Sequence, residues 1–185
     1  MGANVGQILR QPAVRHPARV ALVEGRGEGR RTSTYGALDD RAGRIAAALR
    51  AKGLREGERV LLCAGNHPGF VEAWFAIAYL GCVVVPAPVV SAPAEIDERI
   101  RRAGCRLALA DAARLPLVRG HGVEALAIES IGQGEDWLPP CQLSADRDAM
   151  ILFTSGTTGE AKGARISHAS LLLHTMSLVH HTLGL

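Results

Sequence analysis

The sequence predicts an α/β fold in which a mostly parallel sheet is flanked by helices and preceded by a small N-terminal hairpin. Apolar runs of strand length alternate with segments of helical apolar periodicity between residues 34 and 128. The connections between them are short, which is typical of consecutive βαβ units on a parallel sheet. The 185 residues are 48% hydrophobic and 21% charged, so wholesale disorder is excluded.

The N-terminal hairpin is predicted from two β-rich runs, 20–23 and 31–35, which flank Gly25, Gly27 and Gly29. The glycines alone would also suit a dinucleotide-binding loop. Such a loop requires a helix directly after its glycines, whereas a β-rich run follows them here. The hairpin is therefore the preferred interpretation.

Four helices and four strands are predicted after the hairpin. Thr34 is placed to cap the first helix, whose apolar residues recur at helical spacing, and Gly53 ends it. On that helix, periodicity puts Asp39, Asp40 and Arg41 on the exposed face. The helical segments are 34–53, 66–81, 94–104 and 112–118, and the strands are 59–64, 83–85, 107–110 and 125–128.

Two segments bear on cellular location. An uncharged stretch over 73–94 is long enough to span a bilayer, but its helical pattern ends at Gly81 and a strand that ends at prolines follows. The first 20 residues carry three arginines and no acidic residue, yet Pro12 and Pro17 are expected to interrupt the amphipathic helix of a transit peptide. We therefore expect a cytoplasmic protein without a transmembrane segment.

Charge and cysteine content exclude further classes of protein. The net charge of +3 is too small for a nucleic-acid surface, and 4% aromatic residues leave little material for base stacking. No CxxC pair is present, which disfavours a zinc knuckle or a redox motif and predicts free thiols in a reducing compartment. The cysteines are Cys63, Cys82, Cys105 and Cys141.

The chain divides into three predicted parts. Residues 1–129 form an N-terminal α/β subdomain, and residues 130–148, rich in glycine, proline and polar residues, form a linker. Residues 149–185 follow as strand, loop, return strand and helix. Ser167 is placed to cap that helix, which also accounts for His168 at its start. The helix is so apolar that it needs a cover, so we expect this part to continue beyond the chain end in the parent protein.

The loop between the last two strands has the composition of a polyphosphate-binding site. Its three glycines let backbone N–H groups approach an anion closely, its four hydroxyl groups add donors, and Lys162 adds a compact positive charge. Lys162 is one of two lysines in a chain whose other basic residues are arginines. The candidate phosphate-binding residues are Thr154, Ser155, Gly156, Thr157, Thr158, Gly159, Lys162 and Gly163.

Two other interpretations of this loop compete with phosphate binding. A Walker A loop requires GxxxxGK[ST], but the second glycine, counted from Gly156, falls on Ala161. In addition, Gly163 stands where that motif requires a hydroxyl residue. The remaining alternative is a plain glycine- and threonine-rich surface loop between two strands.

Residues 154–163 resemble the phosphate-binding motif of the adenylate-forming superfamily, which includes acyl-CoA synthetases, firefly luciferases and the adenylation domains of nonribosomal peptide synthetases. Two earlier segments resemble the family in the same order: 33–38 its Thr-Tyr-x-x-Leu element, and 66–86 its helix followed by a Gly-to-Pro strand. Ala161 replaces the family's usual proline, which is expected to leave the loop more mobile. By this resemblance the chain is an incomplete subdomain of a larger adenylate-forming fold.

The resemblance implies an ATP-dependent acyl-CoA synthetase. In this family a carboxylate attacks the α-phosphorus of ATP, which gives an acyl-adenylate and pyrophosphate, and a thiol then takes the acyl group. The loop would hold the β- and γ-phosphates together with Mg²⁺, and Lys162 would stabilise the leaving group. The expected substrate is a carboxylic acid, fatty or aromatic acids being favoured. The acceptor is coenzyme A or the phosphopantetheine of a carrier protein.

The resemblance also implies that the isolated chain is inactive, because the family's other functional elements follow residue 185 and no catalytic residue lies within it. The alternatives are an adenylation domain that loads a carrier protein, or a truncated, non-catalytic subdomain that binds phosphate or associates with itself. An exposed helix and an unpaired sheet edge would favour a homodimer. No metal ligands are expected, since His174 and His181 lie seven residues apart without a carboxylate.

Overall fold

The computed structural model describes residues 3–25, 29–154 and 162–183. Helices and strands alternate along them much as the sequence predicts. The helices are α1 (Gln7–Arg15), α2 (Tyr35–Ala51), α3 (Pro68–Tyr79), α4 (Pro93–Ala103), α5 (Leu115–Val118) and α6 (His168–Leu183). The strands are β1 (Val20–Glu24), β2 (Arg31–Thr34), β3 (Arg59–Cys63), β4 (Val83–Pro86), β5 (Cys105–Ala110), β6 (Glu124–Ala127), β7 (Asp148–Thr154) and β8 (Lys162–Ser167).

The main sheet, within these described ranges, has six strands in the order β6-β5-β3-β4-β7-β8. Its first five strands are parallel, and β8 runs antiparallel to β7 at one edge. β1 and β2 form a separate antiparallel hairpin. The predicted fold class, a mostly parallel sheet with flanking helices and an N-terminal hairpin, is confirmed.

Side chains of the central strands alternate between two apolar layers. Val60 and Leu62 of β3 pack in the layer that contains α2 and α3, whereas Leu61 and Cys63 pack in the layer that contains α4 and α5. All four side chains are fully buried. Because strand side chains alternate with a period of two residues, an unbroken apolar run covers both faces of a sheet. This burial confirms the doubly buried strand that the sequence predicts here.

Capping groups set the helix boundaries. Thr34 Oγ1 accepts the Ala37 N–H bond at 3.2 Å where α2 begins. Gly104 follows α4 with a φ of 62°, a left-handed conformation that glycine adopts without steric cost.

The uncharged stretch 73–94 contains the end of α3, all of β4 and the start of α4. No helix in the described ranges is long and apolar enough to cross a membrane.

Two predictions about the N-terminal half are wrong. Pro12 does not interrupt a helix, because α1 continues through it and buries Leu9 and Ala13. That burial compensates for the single hydrogen bond that a proline removes. Asp39 is not exposed either: it is 5% exposed and bonds to Arg10 of α1. Periodicity within α2 does not reveal this contact, because no helix over α1 is predicted from the sequence.

Residues 130–148, the predicted linker, lie along the α/β body. Trp137 Nε1 donates to the Asp39 carbonyl at 3.2 Å, and the Cys141 N–H donates to the Tyr79 carbonyl at 2.8 Å. Leu143 is buried. We call residues 137–143 the strap. It leads into β7, which joins the same sheet as β3, β4 and β5. The three domain boundaries stay a prediction.

Candidate phosphate-binding site

The predicted phosphate loop connects β7 to β8. Thr154 pairs with Lys162 and Phe153 pairs with Gly163, at the end of an antiparallel ladder. The structure therefore brings Thr154 and Lys162 together at the two ends of the loop. Residues 155–161 lie outside the described residues. The candidates in that range are Ser155, Gly156, Thr157, Thr158 and Gly159.

The loop follows the carboxyl end of a parallel strand. β7 runs parallel to β4, and Met150 is level with Val84. From that level β4 continues two residues to Pro86, whereas β7 continues four residues to Thr154. At about 3.3 Å per residue, the β7–β8 hairpin projects past its neighbour by about 7 Å. In open α/β sheets, ligands bind at this carboxyl edge.

Lys162 is open to an anion at this edge. Its side chain is exposed, and it takes part in none of the ion pairs between described residues. Its neighbour Arg165 differs, since that guanidinium pairs with Asp148 at 2.7 Å. Thr154 is exposed opposite Lys162. A hydroxyl and an ammonium that flank one loop provide donors suited to phosphate oxygens.

Gly163 has a packing role in addition to its predicted role in phosphate binding. A Cβ atom at this position would lie 3.0 Å from Ile151 Cγ2 and 3.4 Å from the Phe153 ring. Such contacts are tighter than packed side chains normally allow. Glycine therefore lets the two strands of the hairpin stay close beside the loop.

His168 fixes the opposite end of the hairpin. Its side chain is fully buried. The ring atom Nδ1 accepts a hydrogen bond from the Val5 backbone N–H at 3.0 Å, and the backbone N–H of His168 donates to the Arg147 carbonyl at 3.0 Å. Burial lowers the pKa of His168 to about 4, and the nearby Asp148 opposes that shift only in part. The ring is therefore neutral at pH 7, with Nδ1 as an acceptor.

Helix capping does not account for His168. The cap of α6 is Ser167, whose Oγ accepts the Ser170 N–H bond at 3.1 Å, so the prediction for Ser167 is confirmed. The separate contact of His168 with Val5 is not predicted from the sequence. No local pattern indicates that contact, since the two residues are 163 positions apart.

A second polar cluster lies at the carboxyl edge, after β3 and β5. The Asp111 carboxylate accepts backbone N–H bonds from Gly65 and Arg114 at 2.8 and 2.9 Å, and the Arg114 guanidinium at 2.9 Å. His67 Nε2 lies 3.3 Å away. Burial alone would raise the pKa of Asp111, but these donors bring it below its usual value. Because its carboxylate oxygens accept hydrogen bonds from within the fold, Asp111 has a structural role at this edge.

Comparison with known proteins agrees with this geometry. A family model described as AMP-binding enzyme matches residues 9–184. The chain belongs to the family of AMP-binding enzymes. This result confirms the resemblance drawn from residues 154–163 and from the two earlier segments.

Two curated relatives of this AMP-binding chain are a CoA synthase and a CoA ligase. A feruloyl-CoA synthase of Amycolatopsis sp is 29% identical over 152 residues, which cover 80% of this chain and 31% of the relative. The long-chain-fatty-acid–CoA ligase FadD13 of Mycobacterium tuberculosis is 29% identical over 184 residues, which cover 91% of this chain and 36% of the relative. The chain thus spans about a third of the length of these relatives.

A solved structure shows the same fold. The fatty acyl-adenylate ligase from L. pneumophila, in complex with acyl adenylate and pyrophosphate, matches with a TM-score of 0.84 at 26% identity. The match covers 95% of this chain and 32% of that protein. The AMP-binding chain therefore has the fold of the N-terminal part of adenylate-forming enzymes.

Proposed function

We propose that these residues form the ATP-phosphate-binding part of an AMP-forming acid–thiol ligase, an acyl-CoA synthetase, in the complete protein. A carboxylate oxygen of the acid forms a bond to the α-phosphorus of ATP, and the bond from that phosphorus to pyrophosphate breaks. A thiol then takes the acyl group and releases AMP. The observation that carries this proposal is the exposed Thr154–Lys162 pair, which flanks the family's phosphate loop at the carboxyl edge.

The loop residues are proposed to bind the leaving pyrophosphate. Backbone N–H groups, hydroxyls and the Lys162 ammonium stabilise the charge that builds on the leaving group as the bond breaks. Lys162 acts as a donor and a positive charge, and takes no proton in this step. The residues that we assign to this role are Thr154, Ser155, Gly156, Thr157, Thr158, Gly159, Lys162 and Gly163.

Mg²⁺ is part of the proposal as an ion bound through the substrate phosphates. Magnesium is commonly held by phosphates, water and one or two carboxylates. The described part of the chain contains no group of three or more His, Cys, Asp or Glu side chains that could hold a metal. The donors at the loop suit phosphate oxygens, and the bound ion would neutralise part of their charge.

A fatty or aromatic acid and coenzyme A are the proposed substrates. The two relatives are named as a feruloyl-CoA synthase and a long-chain-fatty-acid–CoA ligase. We also propose a cytoplasmic location. Four free thiols support it, because a reducing compartment keeps cysteines unpaired.

ATP–pyrophosphate exchange in the complete gene product tests the proposed function. Labelled pyrophosphate should enter ATP only when a suitable fatty or aromatic acid is present. Lys162→Ala should slow this exchange by about 100-fold or more while the unfolding temperature stays unchanged. The other lysine is a matched control: Lys52 pairs with Glu124 on the surface, so Lys52→Ala should exchange at the normal rate. Exchange without acid, or an unchanged rate in Lys162→Ala, would contradict the proposal.

The apolar face of α6 is proposed as a contact surface for the remainder of the complete protein. Leu173 and Met176 lie three residues apart, and each is 68% exposed. The neighbouring β8 is an edge strand of the described sheet. A homodimer that covers this face is the alternative. Sedimentation of the 185-residue chain and of its Met176→Lys variant distinguishes the two possibilities. A homodimer requires that the wild-type chain sediments as a dimer and that the substitution dissociates it.

A further inference from the structure

His168 contains a polar atom that its bond to Val5 does not explain. Nδ1 accepts the Val5 N–H bond, so the neutral ring carries its proton on Nε2. That nitrogen is buried and has no hydrogen-bond partner among the residues described. A buried N–H group without a partner destabilises the folded state. A phenylalanine would fill the same space without an unpaired ring N–H group, but it would leave the buried Val5 N–H group without its acceptor. The imidazole therefore does more than fill space, because its Nδ1 is the acceptor for the Val5 N–H group.

The side chains of β8, the strand before His168, do little to fix the register of that strand. It lies at the sheet edge, and residues 162–165 are exposed. The ion pair of Arg165 with Asp148 involves a side chain that is 74% exposed, and such surface pairs contribute little to stability. A slip of one residue turns every side chain to the other face, and exposed strands resist such slips poorly. The register of β8 therefore depends on contacts outside its ladder.

The start of α6 provides such contacts. The N–H groups of His168 and Ala169 donate to the carbonyls of Arg147 and Ala145 at 3.0 and 2.7 Å. Nδ1 of His168 adds a bond from a segment far away in the chain. A slip of one residue would place a small side chain where the imidazole lies and leave the Val5 N–H group buried without a partner. The side chain of His168 thus distinguishes one register from its neighbours.

The segment that contains Val5 is itself held firmly. Asn4 Nδ2 donates to the carbonyls of Ala78 and Cys141 at 2.8 and 3.1 Å, and Asn4 Oδ1 accepts the Gly6 N–H bond at 2.8 Å. Both Asn4 and Val5 are 2% exposed. The Val5 N–H group is therefore a fixed reference point, tied to α3 and to the strap.

We infer that His168 is a positioning residue: by accepting the Val5 amide hydrogen bond at the buried base of the β7–β8 hairpin, it sets the register of β8 and thereby the place of Lys162. The part that concerns Lys162 rests on the proposed function. Lys162 and His168 are six residues apart, about 20 Å along a strand. The imidazole acts through the backbone and touches no substrate.

Hydrogen–deuterium exchange on the 185-residue chain tests the register. His168→Phe removes the acceptor but keeps a ring, whereas His168→Asn places an amide oxygen near the position of Nδ1. We expect the amides of 163–167 to exchange about tenfold faster in His168→Phe and within about threefold of wild type in His168→Asn. His174→Phe makes the same change at an exposed position of α6 and serves as the control.

Two results would overturn the register role. One is equal protection of β8 in His168→Phe and wild type, and the other is an equal loss in His168→Phe and His168→Asn. If His168→Phe does not fold, His168→Gln gives the same comparison, because it keeps a polar side chain but moves the acceptor away from Val5.

Kinetics of the complete protein test the link to Lys162. His168→Phe should raise the KM for ATP by about fivefold and His168→Asn should restore it. In a Lys162→Ala background the same substitution should have no further effect, since the positioned group is absent. Additive losses in the double variant would overturn the link. Absence of acid-dependent exchange in the wild type would instead refute the proposed function, while deuterium exchange still decides whether His168 sets the register.

Discussion

The Asp39 carboxylate accepts a hydrogen bond from the Tyr79 hydroxyl at 2.6 Å in the interior between α2 and α3. Its second oxygen accepts the Arg10 guanidinium, also at 2.6 Å. Arg10 in turn lies 4.6 Å above the centre of the Trp137 ring. Burial and the bond to Asp39 raise the pKa of Tyr79 well above its usual value. One carboxylate thus joins α1, α2 and α3, and Arg10 extends the link to the strap.

Removal of this carboxylate should destabilise the chain strongly. Asp39→Ala leaves the buried Tyr79 hydroxyl unpaired, whereas Arg10, at 34% side-chain exposure, can regain water. We expect the free energy of unfolding to fall by about 2–3 kcal/mol, measured by urea denaturation of the 185-residue chain. Asp40→Ala is the matched control, because Asp40 is exposed and its pair with Arg44 contributes under about 1 kcal/mol. Equal losses in both variants would refute a role for the buried network.

The strap should be displaced by a single methyl group on α2. A Cβ atom at Gly43 would overlap Trp137 Nε1, closer than any side chain can approach. Gly43→Ala normally gains about 0.5–1 kcal/mol in a helix, but here overpacking should reverse the sign and lower stability by about 1–3 kcal/mol. Tryptophan emission should shift to the red as Trp137 becomes exposed.

A second glycine in the same region provides the control for that experiment. Gly134 has no atom within 4 Å of the position that a Cβ would take, so Gly134→Ala should leave both stability and emission unchanged. A gain of stability in Gly43→Ala, with unshifted emission, would show that Trp137 of the strap does not pack against Gly43 in solution.

Elements that depend on local pattern were predictable from the sequence. The buried strand β3 follows from its unbroken apolar run, and α2 follows from Thr34, its apolar spacing and Gly53. The burial of Asp39 was not predictable, because it depends on Arg10, a residue 29 positions earlier on a helix that contains a proline. Local periodicity identifies the face of a helix that meets the sheet but does not reveal a second helix that covers its flank.

The candidate site divides in the same way. Composition alone pointed to residues 154–163, since glycines, hydroxyls and a lysine suit phosphate wherever they occur. The position of Thr154 and Lys162 at the carboxyl edge follows from β7 running parallel to β4, a long-range pairing. His168 was missed for the same physical reason: its partner Val5 lies at the other end of the chain.

Arginine, the basic residue that this chain otherwise uses, should not replace Lys162 without loss of activity. Lys162→Arg keeps the charge but replaces a compact ammonium with a larger planar fork beside a glycine-rich loop. We expect ATP–pyrophosphate exchange in the complete protein to fall by about tenfold, which is less than in Lys162→Ala. Lys52→Arg is the matched control and should exchange normally, since its pair with Glu124 is exposed. A full rate in Lys162→Arg would mean that only the charge at this position matters.

Stability should decrease in mild acid because of His168. Its pKa is lowered to about 4 in the native state by burial, whereas an unfolded histidine titrates near its ordinary value of 6.5. Between these values the unfolded chain binds a proton that the native chain does not, so stability present above about pH 6.5 is lost as the pH falls toward 4. At pH 5 the loss should be about 2 kcal/mol. The nearby Asp148 opposes this shift only in part.

Urea midpoints at pH 7.5 and pH 5 measure this loss, with His168→Asn as the comparison. That substitution removes the titrating ring and leaves every other ionisable group in place, so the difference between the two chains isolates His168. The lowered pKa of Asp111 acts below its usual value of 3.8, outside this window. The wild type should lose about 2 kcal/mol more than His168→Asn on going to pH 5. Equal losses in the two chains would mean that the imidazole reaches water in solution and is not held neutral by the Val5 contact.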